Sequence, residues 1–349
     1  ELLVSLGNNW NFLPSADEIS TEEIKFHNPS HAKELFNLSA GSWISRGSGQ
    51  ESLISLRSPV LTGSGACGSF LILEDGLPIR PAGFCNVNNL FEISLNLASQ
   101  VETLKGPSSA RFGGNALHGA INIQTLDIDD KNYLRTEVDK EGSFKSTFKY
   151  QESKNWILGI SLDSDKGFRD FSGFDQQKLV FKTNNDVNAW KATTFFSLTN
   201  LNQETAGYID TYTSSLRESN LNPEAYRDAK SFRLNTNFSK VEDSYYFQLR
   251  PFFRSSKMNF IQHYLPGQPI EKNKQTSSGI NFFMDVNSFI NHKLSFGINL
   301  EIANIDLEEF QPEELTTSSP FNNAVRPQGF HYDFAVNTNL VAVFLSHEF

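Results

Sequence analysis

Leu294-Ser295-Phe296-Gly297-Ile298-Asn299-Leu300-Glu301-Ile302 alternates without a break. In an extended strand successive side chains point to opposite faces, so the five apolar residues form one wall and Ser295, Gly297, Asn299 and Glu301 the other. Segments of about 9 to 14 residues with this alternation recur from Asn132 onward, about ten in all. A soluble sandwich also alternates, so the connections decide what the apolar wall faces. Gln151 to Asn155, Asn184 to Asn188, Lys240 to Asp243 and Ile290 to Lys293 are short. The intervening ones, Ser164 to Asp175, Leu201 to Asp228, Asn259 to Gln275 and Asp306 to Val336, are mostly long, with Asp139 to Gly142 a short exception. Alternating short and long connections predict a transmembrane antiparallel β-barrel with its short turns on one side of the membrane.

The rest of the composition agrees. In 349 residues, 38% hydrophobic and 20% charged, no run of ~18 apolar residues occurs, which excludes a helical span on length. The net charge of −10, with lysines and arginines scattered, argues against a nucleic-acid surface. Glu1-Leu2-Leu3-Val4 lacks the basic start and long apolar core of a secretory signal, so an export signal was either removed or lies outside the sequence. All nine tyrosines and 24 of the 31 phenylalanines follow residue 130. A domain boundary is therefore expected in Asp127 to Lys131, dividing the chain into 1–130 and 131–349.

The first unit reads as mixed α+β, with glycine turns. Ser20-Thr21-Glu22-Glu23 has the spacing of a capping box, and a second helix after Pro29 turns Leu35 and Phe36 inward. Phe70 to Leu73 and Leu77-Pro78-Ile79 flank Asp75-Gly76, a hairpin signal. Val101 to Leu104, broken by Gly106-Pro107, and Ala120 to Ile123 read as further strands.

Four of these stretches, in this order and spacing, carry a family resemblance: Asp75-Gly76-Leu77-Pro78, Val101-Glu102-Thr103-Leu104-Lys105-Gly106-Pro107, Ala110-Arg111-Phe112-Gly113 and Ala116-Leu117-His118-Gly119-Ala120-Ile121-Asn122-Ile123. They resemble the signature stretches of the plug in TonB-dependent outer-membrane receptors. Leu56-Arg57-Ser58 departs from the glycine that usually follows the arginine, and Arg111-Phe112 from a small-plus-tyrosine pair. The resemblance implies an α+β plug domain at 1–130 followed at 131–349 by the N-terminal part of a barrel of 22 strands. Ten strands make a barrel only ~20 Å across, against ~44 Å for 22. A plug of this length is ~35 Å across. A fragment lacking about a dozen strands is therefore expected, and the terminal-looking Phe349, after Val341, Val343 and Leu345, is read as coincidence.

The implied function is that of an outer-membrane receptor and energy-coupled transporter of a Gram-negative bacterium, importing a small molecule such as an iron chelate, cobalamin or saccharide. A passive porin or an adhesin barrel is the alternative, although a diffusion pore needs no folded domain before its first strand. A soluble all-β binding module is a third reading, with apolar faces meeting in a core. The implied partners are a periplasmic TonB-type energy-coupling protein, outer-membrane lipids and the substrate; no nucleic acid is expected, and the barrel is monomeric. Glu1, Leu2, Leu3, Val4 and Ser5 resemble the TonB box that adds as a strand to the coupling protein, or form a plain lead-in strand.

The resemblance places Arg57, Arg80, Phe84, Asn86 and Asn88 in or beside loops at the plug apex, as ligand contacts or as ordinary turn residues. Arg57 has a second reading as an ion-pair residue within the plug or toward the barrel. Cys67 and Cys85 are the only cysteines. In an oxidising compartment the pair reads as a disulfide closing a loop of about 19 residues, worth ~3 kcal/mol, with two free thiols the alternative. No metal site is expected, since the seven histidines show neither HxxxH nor HExxH spacing. No cofactor is implied, and without GxSxG or a phosphate loop no enzyme is expected.

Overall fold

The structure is a computed structural model and describes residues 16–58, 70–81, 89–107, 116–207, 219–262, 265, 267–289, 292–314 and 327–348. The first unit runs β1 (Ala16–Ile19), α1 (Thr21–His27), α2 (Lys33–Phe36), β2 (Ser42–Arg46), β3 (Ser52–Leu56), β4 (Phe70–Glu74) and β5 (Leu77–Pro78). Two short 3-10 turns, Asn89–Glu92 and Leu95–Leu97, precede β6 (Ala98–Lys105) and β7 (Gly119–Thr125). The capping box forms as read: Ser20 Oγ accepts from the Glu23 amide while the Glu23 carboxylate accepts from the Ser20 amide at 2.8 Å. Asn28, at φ 43°, ends the helix in the left-handed region. Helix α2 buries Leu35 and Phe36, which join Ile24, Ile44, Ile93, Ile121 and Ile123 in one core.

The sheet of this unit has the order β1-β6-β7-β4-β5, with β4 parallel to β7 and the other pairs antiparallel. Asp75 and Gly76 both take positive φ, 48° and 78°, as a two-residue hairpin turn requires. Glu74 faces Leu77 and Leu73 faces Pro78 across it.

After residues 126–132, ten antiparallel strands follow in sequence order: β8 (Tyr133–Val138), β9 (Phe144–Ser153), β10 (Trp156–Asp165), β11 (Phe174–Val187), β12 (Trp190–Glu204), β13 (Tyr226–Val241), β14 (Tyr245–Ile261), β15 (Ile270–Phe289), β16 (His292–Gln311) and β17 (Gly329–Glu348). The alternation read at Leu294 is the alternation of the wall: Ser295, Ala303 and Ile305 are buried toward the first unit's side, while Leu294, Leu300 and Ile302 are exposed on the other. Tyr150 packs on Trp156 at 5.6 Å and Tyr245 on Phe247 at 4.8 Å, aromatic pairs beside the short turns on the outward face. No helix among the described residues is long and apolar enough to cross a membrane.

All four expected long connections are shorter than the sequence suggested, two of them by about half. The connection placed at Asn259 to Gln275 is 262–269, and that at Asp306 to Val336 is 312–328. Lys272 to Gln275 continue the ladder with polar residues on both faces, so backbone pairing persists where side-chain alternation falls silent.

Candidate functional site

The first unit is fastened to the inner side of the wall, from β8 to β14. Every strand contributes side chains of one parity: Lys145, Thr147 and Lys149 from β9, Gln176 and Lys178 from β11, Arg227 and Arg233 from β13, Arg250 and Arg254 from β14. Their neighbours of the other parity, such as Leu249 and Phe253, point away and are exposed. The period of two in the backbone therefore sorts charge inward.

Arg233 is the centre. Its Nε donates to Glu74 Oε2 at 2.6 Å, Nη1 to Glu92 Oε2 at 3.0 Å and Nη2 to the Glu92 carbonyl at 2.8 Å. Ser256 donates to the other Glu92 oxygen at 2.8 Å. The two carboxylates come from β4 and from the first 3-10 turn, so one guanidinium pins two elements to the wall. All three groups are buried. Burial pushes the Glu74 carboxyl above its ordinary value, and the Arg233 charge opposes that rise.

Around this centre the wall addresses backbone carbonyls. Lys178 donates to Ile93 O at 2.7 Å, Gln176 to Phe91 O at 3.1 Å and Thr199 to Glu92 O at 2.8 Å. Arg250 donates to the Asp75 carbonyl, and Arg254 to the Pro78 carbonyl while pairing with Glu301. Lys182 pairs with Asp75 at 3.3 Å, and that carboxylate accepts from Thr125 Oγ1 at 2.7 Å. Below, Lys149 pairs with Asp130 at 2.7 Å.

Toward the ends of the strands that enter long connections, the β2–β3 turn meets the wall. Gln203 Oε1 accepts from the Gln50 amide at 2.7 Å, Ser48 Oγ accepts from the Ala206 amide at 3.0 Å, and Arg227 pairs with Glu51 at 2.9 Å. Gly49 takes φ 52° here, and a Cβ would come within 2.4 Å of Gln203 Oε1. His31 braces the same turn: Lys33 N–H donates to Nδ1 at 3.0 Å, which leaves the proton on Nε2 to donate to Glu51 O at 2.9 Å. Burial pushes its pKa down to about 4.

Among the described residues, two patches of buried apolar side chains join the first unit to the wall. Phe91 enters a cluster of Phe174, Leu201, Ala229, Met258 and Phe260. Leu97 and Leu126 meet Ile157, Val180 and Phe195. The crevice between Ser30, Gln50, Asn96 and Lys178 holds only about 10 Å³, space for a single water at most. At this crevice the interface is polar and closed. Among the described residues no group of histidine, cysteine and carboxylate side chains is arranged to hold a metal.

Of the residues singled out from sequence, Glu1 to Ser5, Cys67, Cys85, Phe84, Asn86 and Asn88 lie outside the described residues. Arg80 follows β5 and is half-buried; burial, reinforced by repulsion from Arg233 and Arg254 and opposed by Glu92, pushes its pKa below the ordinary guanidinium range. Arg57, at φ 48°, follows β3 with its amide bonded to Gly41 O at 2.8 Å, at the opposite end of the hairpin from the Ser48–Glu51 turn. The structure does not bring it to that turn. Glu74, Glu92, Arg233 and Arg254 were not singled out. Their signal was present in part, because Arg250, Phe252 and Arg254 share a parity against Leu249, Pro251 and Phe253.

Residues 12–120 match the family model described as TonB-dependent Receptor Plug Domain. Solved structures align over nearly the whole chain. The ferric citrate transporter FecA in its unliganded form has TM-score 0.74 and 13% identity over 95% of this chain and 53% of its own. The ferric yersiniabactin uptake receptor FyuA of Yersinia pestis has 0.68 and 15% over 95% and 61%. The ferripyoverdine receptor of the outer membrane of Pseudomonas aeruginosa, bound to ferripyoverdine, has 0.73 and 10% over 96% and 49%. At such identities the likeness is one of fold. The chain thus spans about half to three fifths of the length of these structures. The first unit is a TonB-dependent receptor plug domain, and the chain carries it against ten strands of the barrel fold of those receptors.

Proposed function

We propose that this chain is the plug and adjoining wall of an outer-membrane receptor that binds a small nutrient outside and admits it when the plug is displaced from within. The observation that carries the reading is the buried Arg233–Glu74–Glu92 junction with its surrounding polar contacts. A passive pore gains nothing from a folded domain bonded across its lumen. The interface is built mainly of hydrogen bonds and ion pairs, which water can replace as the plug leaves the wall. An apolar junction would expose surface at a cost of ~25 cal/mol per Å².

The sheet of ten strands has β8 and β17 as its edges. In the proposed receptor further strands pair with those edges and close the wall around a plug too wide for ten strands. The similar structures are of a ferric citrate transporter, a ferric yersiniabactin uptake receptor and a ferripyoverdine receptor. An iron chelate is accordingly the first substrate class to test.

Displacing the plug requires work, and the outer membrane holds no ATP supply or ion gradient to provide it. The force in this reading arrives from a periplasmic TonB-type protein that pairs with Glu1 to Ser5 by strand addition. Leu3→Pro removes a backbone donor and fixes φ, breaking that pairing. Cells expressing the full-length Leu3→Pro receptor are expected to bind labelled iron chelate as the parent does and to lose uptake, as parent cells do with an uncoupler. Uptake that persists under both treatments contradicts energy coupling and favours a passive pore.

A further inference from the structure

The outward face of the wall carries a charge pattern that plug displacement does not use. Lys230 on β13 faces Lys257 on β14 directly, and Lys257 faces Lys274 on β15. All three are exposed and point away from the plug. Like charges directly opposite one another destabilise a sheet, so three in a row call for a counter-charge. Asp228 and Asp306 occupy neighbouring outward positions, Asp306 directly opposite Lys274, yet no ion pair among the described residues involves any of the three lysines.

The row sits near the strand ends that enter connections 205–225 and 262–269, the side of the longer loops. It rims an outward concavity of about 650 Å³ whose floor includes Leu179, Leu198 and Phe232. Cations above an apolar floor, on a surface that faces acyl chains, match an amphiphile with an anionic head. From the first lysine to the third is two strand spacings, about 10 Å, which leaves room for two separate phosphates. The floor crosses β10 to β13, wider than the rim alone requires.

The geometry points to a site for a multiply phosphorylated, multi-acyl glycolipid of the outer leaflet, held by Lys230, Lys257 and Lys274 with its chains on Leu179, Leu198 and Phe232. This assignment rests on the outer-membrane placement proposed above. Ammonium groups bind phosphate as point charges, and at a membrane surface each contributes about fivefold to affinity.

The test uses the full-length receptor, extracted in detergent and titrated with lipid A, phosphatidylglycerol and phosphatidylcholine under native mass spectrometry. Recovery from the outer-membrane fraction and heat-modifiable mobility are checked first; failure there counts against the placement and not against the lysine row. For assembled protein, lipid A is expected to bind the parent and a K230R/K257R/K274R variant alike. Binding should fall on the order of 100-fold in K230Q/K257Q/K274Q and about fivefold in K257Q alone, which supplies the reading if the triple variant does not assemble. Equal lipid A binding by parent and glutamine variants overturns the site. Phosphatidylglycerol binding that is as tight and as lysine-dependent overturns the assignment to a glycolipid.

Discussion

Arg233 satisfies two carboxylates at once, so its removal does more than delete a contact. Arg233→Met leaves Glu74 and Glu92 buried without their cation, a change that typically costs about 3–5 kcal/mol. The plug of that variant is expected to show faster amide hydrogen exchange in β4 and the Asn89–Glu92 turn. Adding Glu74→Gln and Glu92→Gln should recover most of the loss, because neutral amides need no counter-ion; an equally destabilised triple variant contradicts the charge argument. His31 gives a second residue-scale outcome. Its folded pKa of about 4 lies below the ordinary 6.5, so the unfolded chain binds more protons between those values. Stability from the neutral ring is present above pH 6.5 and is lost as pH falls toward 4, by roughly 3 kcal/mol in all. Thermal unfolding of the parent and of His31→Gln should diverge least at pH 5 and most at pH 7. A parent profile that stays flat relative to the variant across this window contradicts the assignment.

At the scale of elements, β10 shows how a strand is shaped by what it faces. Gly159 lies against the plug, where a Cβ would come within 3.0 Å of Leu97 and 3.1 Å of Leu126. Gly159→Val therefore overpacks the junction, at about 1–3 kcal/mol, and should loosen the Leu97 turn in hydrogen exchange while leaving the outward face unchanged. Unaltered exchange there would show that the wall gives way freely. Strands of this kind were legible wherever one wall was apolar, as from Leu294 to Ile302. They were illegible at Lys272 to Gln275, where both walls are polar and only the backbone ladder records the strand. The first plug helix and the Asp75-Gly76 hairpin were legible because capping and turn chemistry are local. The junction was not, since Arg233 lies 159 and 141 residues from its partners and nothing local specifies which inward charges meet.

At the scale of the whole molecule, the proposed transport requires the plug to leave the wall. Asn96 on the plug donates to Ser161 Oγ on β10 at 2.7 Å, so cysteines at these two positions lie within reach of a short bis-methanethiosulfonate cross-linker, which reductant cleaves. The measurement is uptake of labelled iron chelate by cells carrying the full-length Asn96→Cys/Ser161→Cys receptor, before cross-linking, after it and after added reductant, with each single variant as control. Surface binding is expected to stay unchanged throughout, with uptake lost on cross-linking and restored by reductant. Uptake that continues at the parent rate with the cross-link formed, verified by gel mobility, would contradict that requirement.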